Sequence, residues 1–286
     1  AAGPGHEMRL SAMNRVHRWM GRSLAGALLM GLAWVQPARA DWTDDVAAIT
    51  RQASQGNYLA AEEVASQSLK NGPGGFLFVG TGTLVIQHWR ARLRLLGGDT
   101  QGATADADAI IQADSTFFPS DTGYGVRAMA KAVAGDPGGS EADFATALKL
   151  AESGTMSRMR IFGGKGERAI ARILLNDFAG AVQDLDEAIN ADHDTQMMAA
   201  YVQAKKAAWT HLRQAITPLE MGNLDQAAVP VRAAIDVLLK AGTQTTGSDF
   251  LSFQLLLMQI DTLAAERQAT QLPVDAGAMP SQPKGP

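Results

Sequence analysis

Residues 168–189 read RAIARILLNDFAGAVQDLDEAI, and this stretch decides the fold. Asn176 stands at its centre, and Asn and Gly accept the left-handed backbone of a tight turn more easily than other residues. Ala169 lies seven residues before the turn, Ala181 five after it and Ile189 thirteen after it. The same frame recurs in GNYLAAEEVASQSL from Gly56, GDTQGATADADAII from Gly98, GDPGGSEADFATAL from Gly135 and GNLDQAAVPVRAAI from Gly222. There the small residue after the turn is Ala61, Ala103, Ser140 or Ala227, and the aliphatic is Leu69, Ile111, Leu148 or Ile235. Before the turn stand Ala91, Ala128 and Ala215, with Ile49 in the first copy.

Small residues at matching heights let two antiparallel helices pack closely, and the aliphatics fill the seam to the next pair. The predicted fold class is therefore all-α, an α-solenoid of about five helix hairpins. Their bounds are 42–70, 83–113, 122–151, 162–190 and 197–240, with a C-terminal capping helix at 248–271. Residues 71–82 and 152–164 are predicted to be loops, with Phe76, Leu77, Phe78 and Val79 able to extend the following helix backwards. The repeat domain spans 41–272, and the Pro- and Gly-rich tail 273–286 is predicted to be disordered.

This pattern resembles the tetratricopeptide repeat family. A turn residue, an aromatic two later, alanine, a bulky residue and alanine recur there in this order. Tyr58, Phe178 and Leu224 take the aromatic position, and Phe144, Leu185 and Val231 the bulky one. The spacings of 42, 37, 41 and 46 residues between turns exceed the family period of about 34, so the repeats are degenerate. The resemblance implies a concave helical surface that binds a peptide or partner protein.

The start of the chain reads differently. Residues 13–40 carry Arg15, Arg18 and Arg22, then an apolar run from Leu24 to Val35, then Pro37 and Ala38-Arg39-Ala40. That order is a secretory signal, predicted to be cleaved after Ala40 and to leave a periplasmic protein. The run is shorter than the roughly 20 residues of a membrane span. Residues 1–40 hold five Arg and one Glu; without them 20 basic residues face 28 acidic ones, a net charge of −8. So acidic a chain is a poor nucleic-acid binder. With no cysteine it has no disulfide and no thiolate metal site.

No catalytic residues, cofactor or metal are expected. Gly163-Gly164-Lys165-Gly166 lacks the upstream Gly and the Ser/Thr of a P-loop, and Gly80-Thr81-Gly82 lacks the third Gly of a dinucleotide fingerprint. Asp192-His193-Asp194 reads as a solvated helix end, and Asp184, Asp186 and Glu187 as a solvated or salt-bridged face. The expected function is a non-catalytic periplasmic scaffold for a protein or peptide. The alternatives are an envelope assembly factor tethered by an uncleaved signal segment, and a small-ligand binder or enzyme with a site in the groove.

One charge pattern carries a sharper expectation. Arg90/Arg94, Arg127/Lys131 and Arg168/Arg172 recur at i,i+4 spacing, so each pair shares a helix face. Arg90 lies eight residues before its turn and Asp106 eight after; Arg127 and Asp143, and Arg168 and Asp184, are placed alike. The outer copies lose both partners together, having Ala48 with Val64 and Gln214 with Pro230. Joint presence and joint loss predict three salt bridges: Arg90–Asp106, Arg127–Asp143 and Arg168–Asp184. Arg94, Lys131 and Arg172 are the candidate contacts to an acidic partner.

Overall fold

A computed structural model describes residues 42–72, 80–114, 120–152, 157–190, 199–242 and 248–271. The signal segment, residues 76–79, the Asp192-His193-Asp194 cluster and the tail 273–286 lie outside the described residues.

Five hinges set the chain path. Gly56, Gly98, Gly135, Asn176 and Gly222 have φ of +80°, +80°, +77°, +63° and +72°. The next amide then reaches back to the carbonyl four residues before the hinge: Asn57 to Gln52, Asp99 to Arg94, Asp136 to Lys131, Asp177 to Arg172 and Asn223 to Pro218, at 2.7–2.9 Å. These bonds close one helix and turn the chain back. The carboxylates of Asp99, Asp136 and Asp177 accept from the amides of Gly102, Gly139 and Gly180 at 2.8, 2.8 and 3.0 Å, capping the next helix.

The described residues form eleven helices and no strand. They are α1 (Trp42–Ser54), α2 (Tyr58–Asn71), α3 (Thr81–Gly97), α4 (Thr100–Ala113), α5 (Ser120–Val133) and α6 (Pro137–Glu152). Then follow α7 (Ser157–Leu174), α8 (Phe178–Asn190), α9 (Ala199–Glu220), α10 (Leu224–Ala241) and α11 (Phe250–Gln271). Successive helices pack on one another, and α1 also packs on α3, α3 on α5 and α5 on α7.

Ala91, Ala128, Ala169 and Ala215 before the hinges are fully buried, as are Ala61, Ala103, Ala181 and Ala227 after them. Phe144, Leu185 and Val231 are buried beside them. Between neighbouring pairs, glycine allows the close approach. A Cβ on Gly123 of α5 would stand 2.7 Å from the Ile111 side chain and 2.8 Å from the Ala107 carbonyl of α4.

Two expectations need correction. Residues 157–164 are helical, not loop. Their glycines serve packing: a Cβ on Gly164 would meet Leu148 at 2.9 Å, and one on Gly166 would meet the Trp209 indole at 2.1 Å. The last helix forms where predicted but is not a cap on the end of the stack, because it packs on α3 and α7 as well as on α10. Phe250, Leu251, Phe253, Leu255, Leu256, Leu257 and Ile260 are all buried, as is Ser252, so its first half is enclosed on nearly every side. A capping helix keeps one polar face to solvent, whereas a helix apolar all round must be enclosed.

Gly166→Ala should therefore destabilise the protein by roughly 1–3 kcal/mol through overpacking against Trp209. Chemical denaturation of the variant checks this; unchanged stability would mean that the indole has room to move.

Candidate functional site

The charged ladder is built hairpin by hairpin. Arg90 of α3 donates to Asp106 of α4 from Nε at 2.9 Å and Nη2 at 2.5 Å. Arg127 of α5 donates to Asp143 of α6 at 2.8 Å from each nitrogen. Arg168 of α7 donates to Asp184 of α8 at 2.9 and 2.6 Å. All three pairs are two-pronged, a geometry that fixes rotation as well as separation.

Arg94, Lys131 and Arg172 join the same carboxylates, lying 2.9, 2.8 and 2.9 Å from Asp106, Asp143 and Asp184. Arg94 and Arg172 also donate to the carbonyls of Gly102 and Gly180 at 3.1 Å, and Lys131 to that of Gly139 at 3.5 Å. None of the three is a free cation, and 17–32% of each side chain remains exposed. Each clasp is thus two basic residues on one helix gripping one nearly buried aspartate on the next. A Cβ on Gly102, Gly139 or Gly180 would stand 2.0–2.2 Å from the capping carboxylate. Sequence reasoning missed these caps and glycines, although the repeated Asp-x-x-Gly after the hinge signals them.

The ladder also ties each hairpin to the one before. Glu62 of α2 accepts from Arg94 at 3.2 Å, and Asp108 of α4 from Arg127 at 2.8 Å. Glu141 of α6 accepts from Arg168 at 3.3 Å and Arg172 at 3.2 Å, and Asp186 of α8 from Arg213 of α9 at 3.0 Å. In the first hairpin, which lacks a clasp, Ser68 donates to Asp45 at 2.6 Å instead.

Burial works to raise the pKa of Asp143, but hydrogen bonds from Arg127 and Lys131 outweigh it and hold the carboxyl below its ordinary range. Arg168 is opposed by burial and held above its ordinary range by Asp184.

A second constellation lies where α11 meets α3, α7 and α9. Arg92 donates to Glu167 at 3.2 Å and to Ser252 at 2.6 Å, and Ser252 donates to Glu167 at 2.7 Å. Lys205, 1% exposed, donates to Asp249 at 2.9 Å and lies 4.8 Å from the centre of the Trp209 ring. Phe253 stacks on Trp209 at 5.0 Å, and Phe250 meets Trp89 edge-on at 6.4 Å. Burial first, and then Arg92, pushes His88 well below the ordinary histidine range. Burial and the Asp249 charge push the Tyr201 phenol up to about 12. Sequence reasoning missed this junction because its polar contacts join residues 44 to 160 positions apart; only folding brings them together.

Among the described residues no three His, Asp or Glu side chains gather as a metal site, and no helix is long and apolar enough to cross a membrane. No protein-family model, curated protein or solved structure matches the chain.

Asp184→Ala, which removes a carboxylate that is 1% exposed, should cost about 2–4 kcal/mol, between the exposed and buried limits for an ion pair. In a double-mutant cycle with Arg168→Ala the two changes should be coupled by roughly 0.5–3 kcal/mol; additive losses would show that the pair does not act as a unit. A separate expectation concerns acid. Because the folded pKa of Asp143 is depressed, its stabilisation is present above about pH 4 and lost as pH falls through the folded value. The stability difference between wild type and Asp143→Asn should therefore be constant near neutrality and narrow below about pH 4. A difference that stays constant into that range would contradict the assignment.

Proposed function

We propose that the protein is a non-catalytic interaction scaffold: an exported α-solenoid of about five tetratricopeptide-like hairpins that holds a protein or peptide partner. The observation that carries this reading is the seat of α11. Helices α3, α7 and α9 hold a helical segment by two cations, two indoles and a surrounding apolar surface. Stacked hairpins offer such surface repeatedly, and recognition of a helix or an extended peptide needs no reacting group. The partner uses surface that α11 leaves open. Arg94, Lys131 and Arg172 are the proposed contacts to its acidic groups. A partner carboxylate there must compete with Asp106, Asp143 and Asp184, so these contacts add selectivity more than affinity. Lys131, at 32%, is the most exposed of the three.

The immobilised chain should retain a saturable protein partner from envelope extract, with weaker retention at high salt and in Lys131→Ala. Absence of any saturable partner would overturn the reading. Export has its own check. The intact mass of the exported protein should begin at Asp41, and a mass retaining residues 13–40 would support the tethered alternative.

A further inference from the structure

Neighbouring hairpins repeat one contact. The carboxylate at the sixth residue after a hinge meets the second cation of the next hairpin: Glu62 accepts from Arg94 at 3.2 Å, and Glu141 from Arg172 at 3.2 Å. Between the second and third hairpins no carboxylate stands at this position. Thr104 is the sixth residue after Gly98, and its hydroxyl donates to the Thr100 carbonyl of its own helix at 2.8 Å. Lys131 stands where the other hairpins have Arg94 and Arg172. The space that a glutamate side chain takes elsewhere is open here. A cavity of about 340 Å³ lies between α4 and α5, with Thr100, Thr104, Asp108, Ala130 and Lys131 among its walls.

Charge decides what can enter. An ammonium has three N–H donors. Lys131 lies 2.8 Å from Asp143, and the Gly139 carbonyl at 3.5 Å is a weak second partner. A carboxylate arriving at Lys131 therefore meets one competing carboxylate, Asp143, whereas Arg94 and Arg172 each already hold two or more. Asp108 also lines the cavity, one helical turn beyond Thr104, and Arg127 donates to it at 2.8 Å. It offers an acceptor to a backbone amide, and its charge repels a run of adjacent acidic groups. The cavity thus suits one acidic side chain flanked by neutral residues. It is too small to seat a helix of about 10 Å diameter.

We propose that the α4–α5 groove is the seat for a glutamate side chain of an extended partner segment, with Lys131 taking the carboxylate as Arg94 takes Glu62 and Arg172 takes Glu141. The proposal rests on the scaffold reading and narrows it: the positions at Arg94 and Arg172 are filled from within the chain, and the one at Lys131 is filled from outside.

Two blocked hexapeptides, one alternating glutamate with serine and the other glutamine with serine, are titrated into the full chain and followed by amide NMR. Glutarate serves as a free dicarboxylate. The glutamate peptide should shift the amides of 100–108 and 130–134 saturably, and more than those of 90–97 or 168–175. The glutamine peptide should bind up to about fivefold more weakly, the worth of a partly exposed ion pair, and glutarate more weakly still. Lys131→Gln should bring the glutamate peptide down to the level of the glutamine one. Thr104→Glu supplies the carboxylate from within the chain and should abolish the saturable shifts. Absence of saturable shifts, equal binding of the two peptides, glutarate binding as tight as that of the glutamate peptide, or shifts that survive Thr104→Glu would each overturn the proposal. Glutamate already occupies this repeat position in two hairpins, so Thr104→Glu should fold; the peptide pair on wild type and Lys131→Gln decides without it. The scaffold reading fails separately, on the absence of any saturable partner in envelope extract.

Discussion

The structure depends on one constraint: the aspartate at the eighth residue after a left-handed hinge must meet the arginine at the eighth residue before it. The hinge alone sends the chain back but leaves the second helix free to rotate about its axis. The two-pronged pair removes that freedom, and the second cation, four residues further along the first helix, holds the same carboxylate from another side. With rotation fixed, Ala169 and Ala181 are buried together and the aliphatic face of α8 is aimed at its neighbours. Each aspartate is almost enclosed and the cations only partly so. The cations can therefore also reach Glu62, Asp108 or Glu141 on the preceding hairpin. Charge specifies the geometry here, while buried alanines and aliphatics supply most of the favourable free energy.

The charges are sorted by helix. Helix α3 carries Arg90, Arg92 and Arg94 with no acidic residue, and α4 and α8 carry acidic residues with no basic one. First and second helices thus complement each other within the chain. The basic stripe is turned inward on its own aspartates, so any outside carboxylate would have to compete with them.

Closure by α11 changes what an array of hairpins can do. An open stack stabilises itself through nearest neighbours alone. Here Arg92–Ser252, Ser252–Glu167, Lys205–Asp249 and the Trp209–Phe253 stack join distant parts of the chain, so α3, α7 and α9 are coupled through α11 and the turn before it. Buried ion pairs add less to stability than apolar groups of the same size would, and their gain is in specifying one seating.

The sequence by itself determined the repeated frame, though not every contact made within it. The five hinges, the buried alanines and the three arginine–aspartate pairs are local relations, separated by at most sixteen residues, and local relations recur at fixed offsets. What only the tertiary structure decided does not repeat. The glycines at 163–166 read as loop because Gly is a poor helix former, yet Trp209 and Leu148 need the space they leave. Residues 250–260 read as one more helix because their pattern shows apolarity but not which surfaces enclose it. The partners of Arg92 lie 75 and 160 residues away, at positions fixed only when α11 packs on both α3 and α7. Local backbone chemistry builds the hairpins, whereas long-range packing chooses how the stack closes.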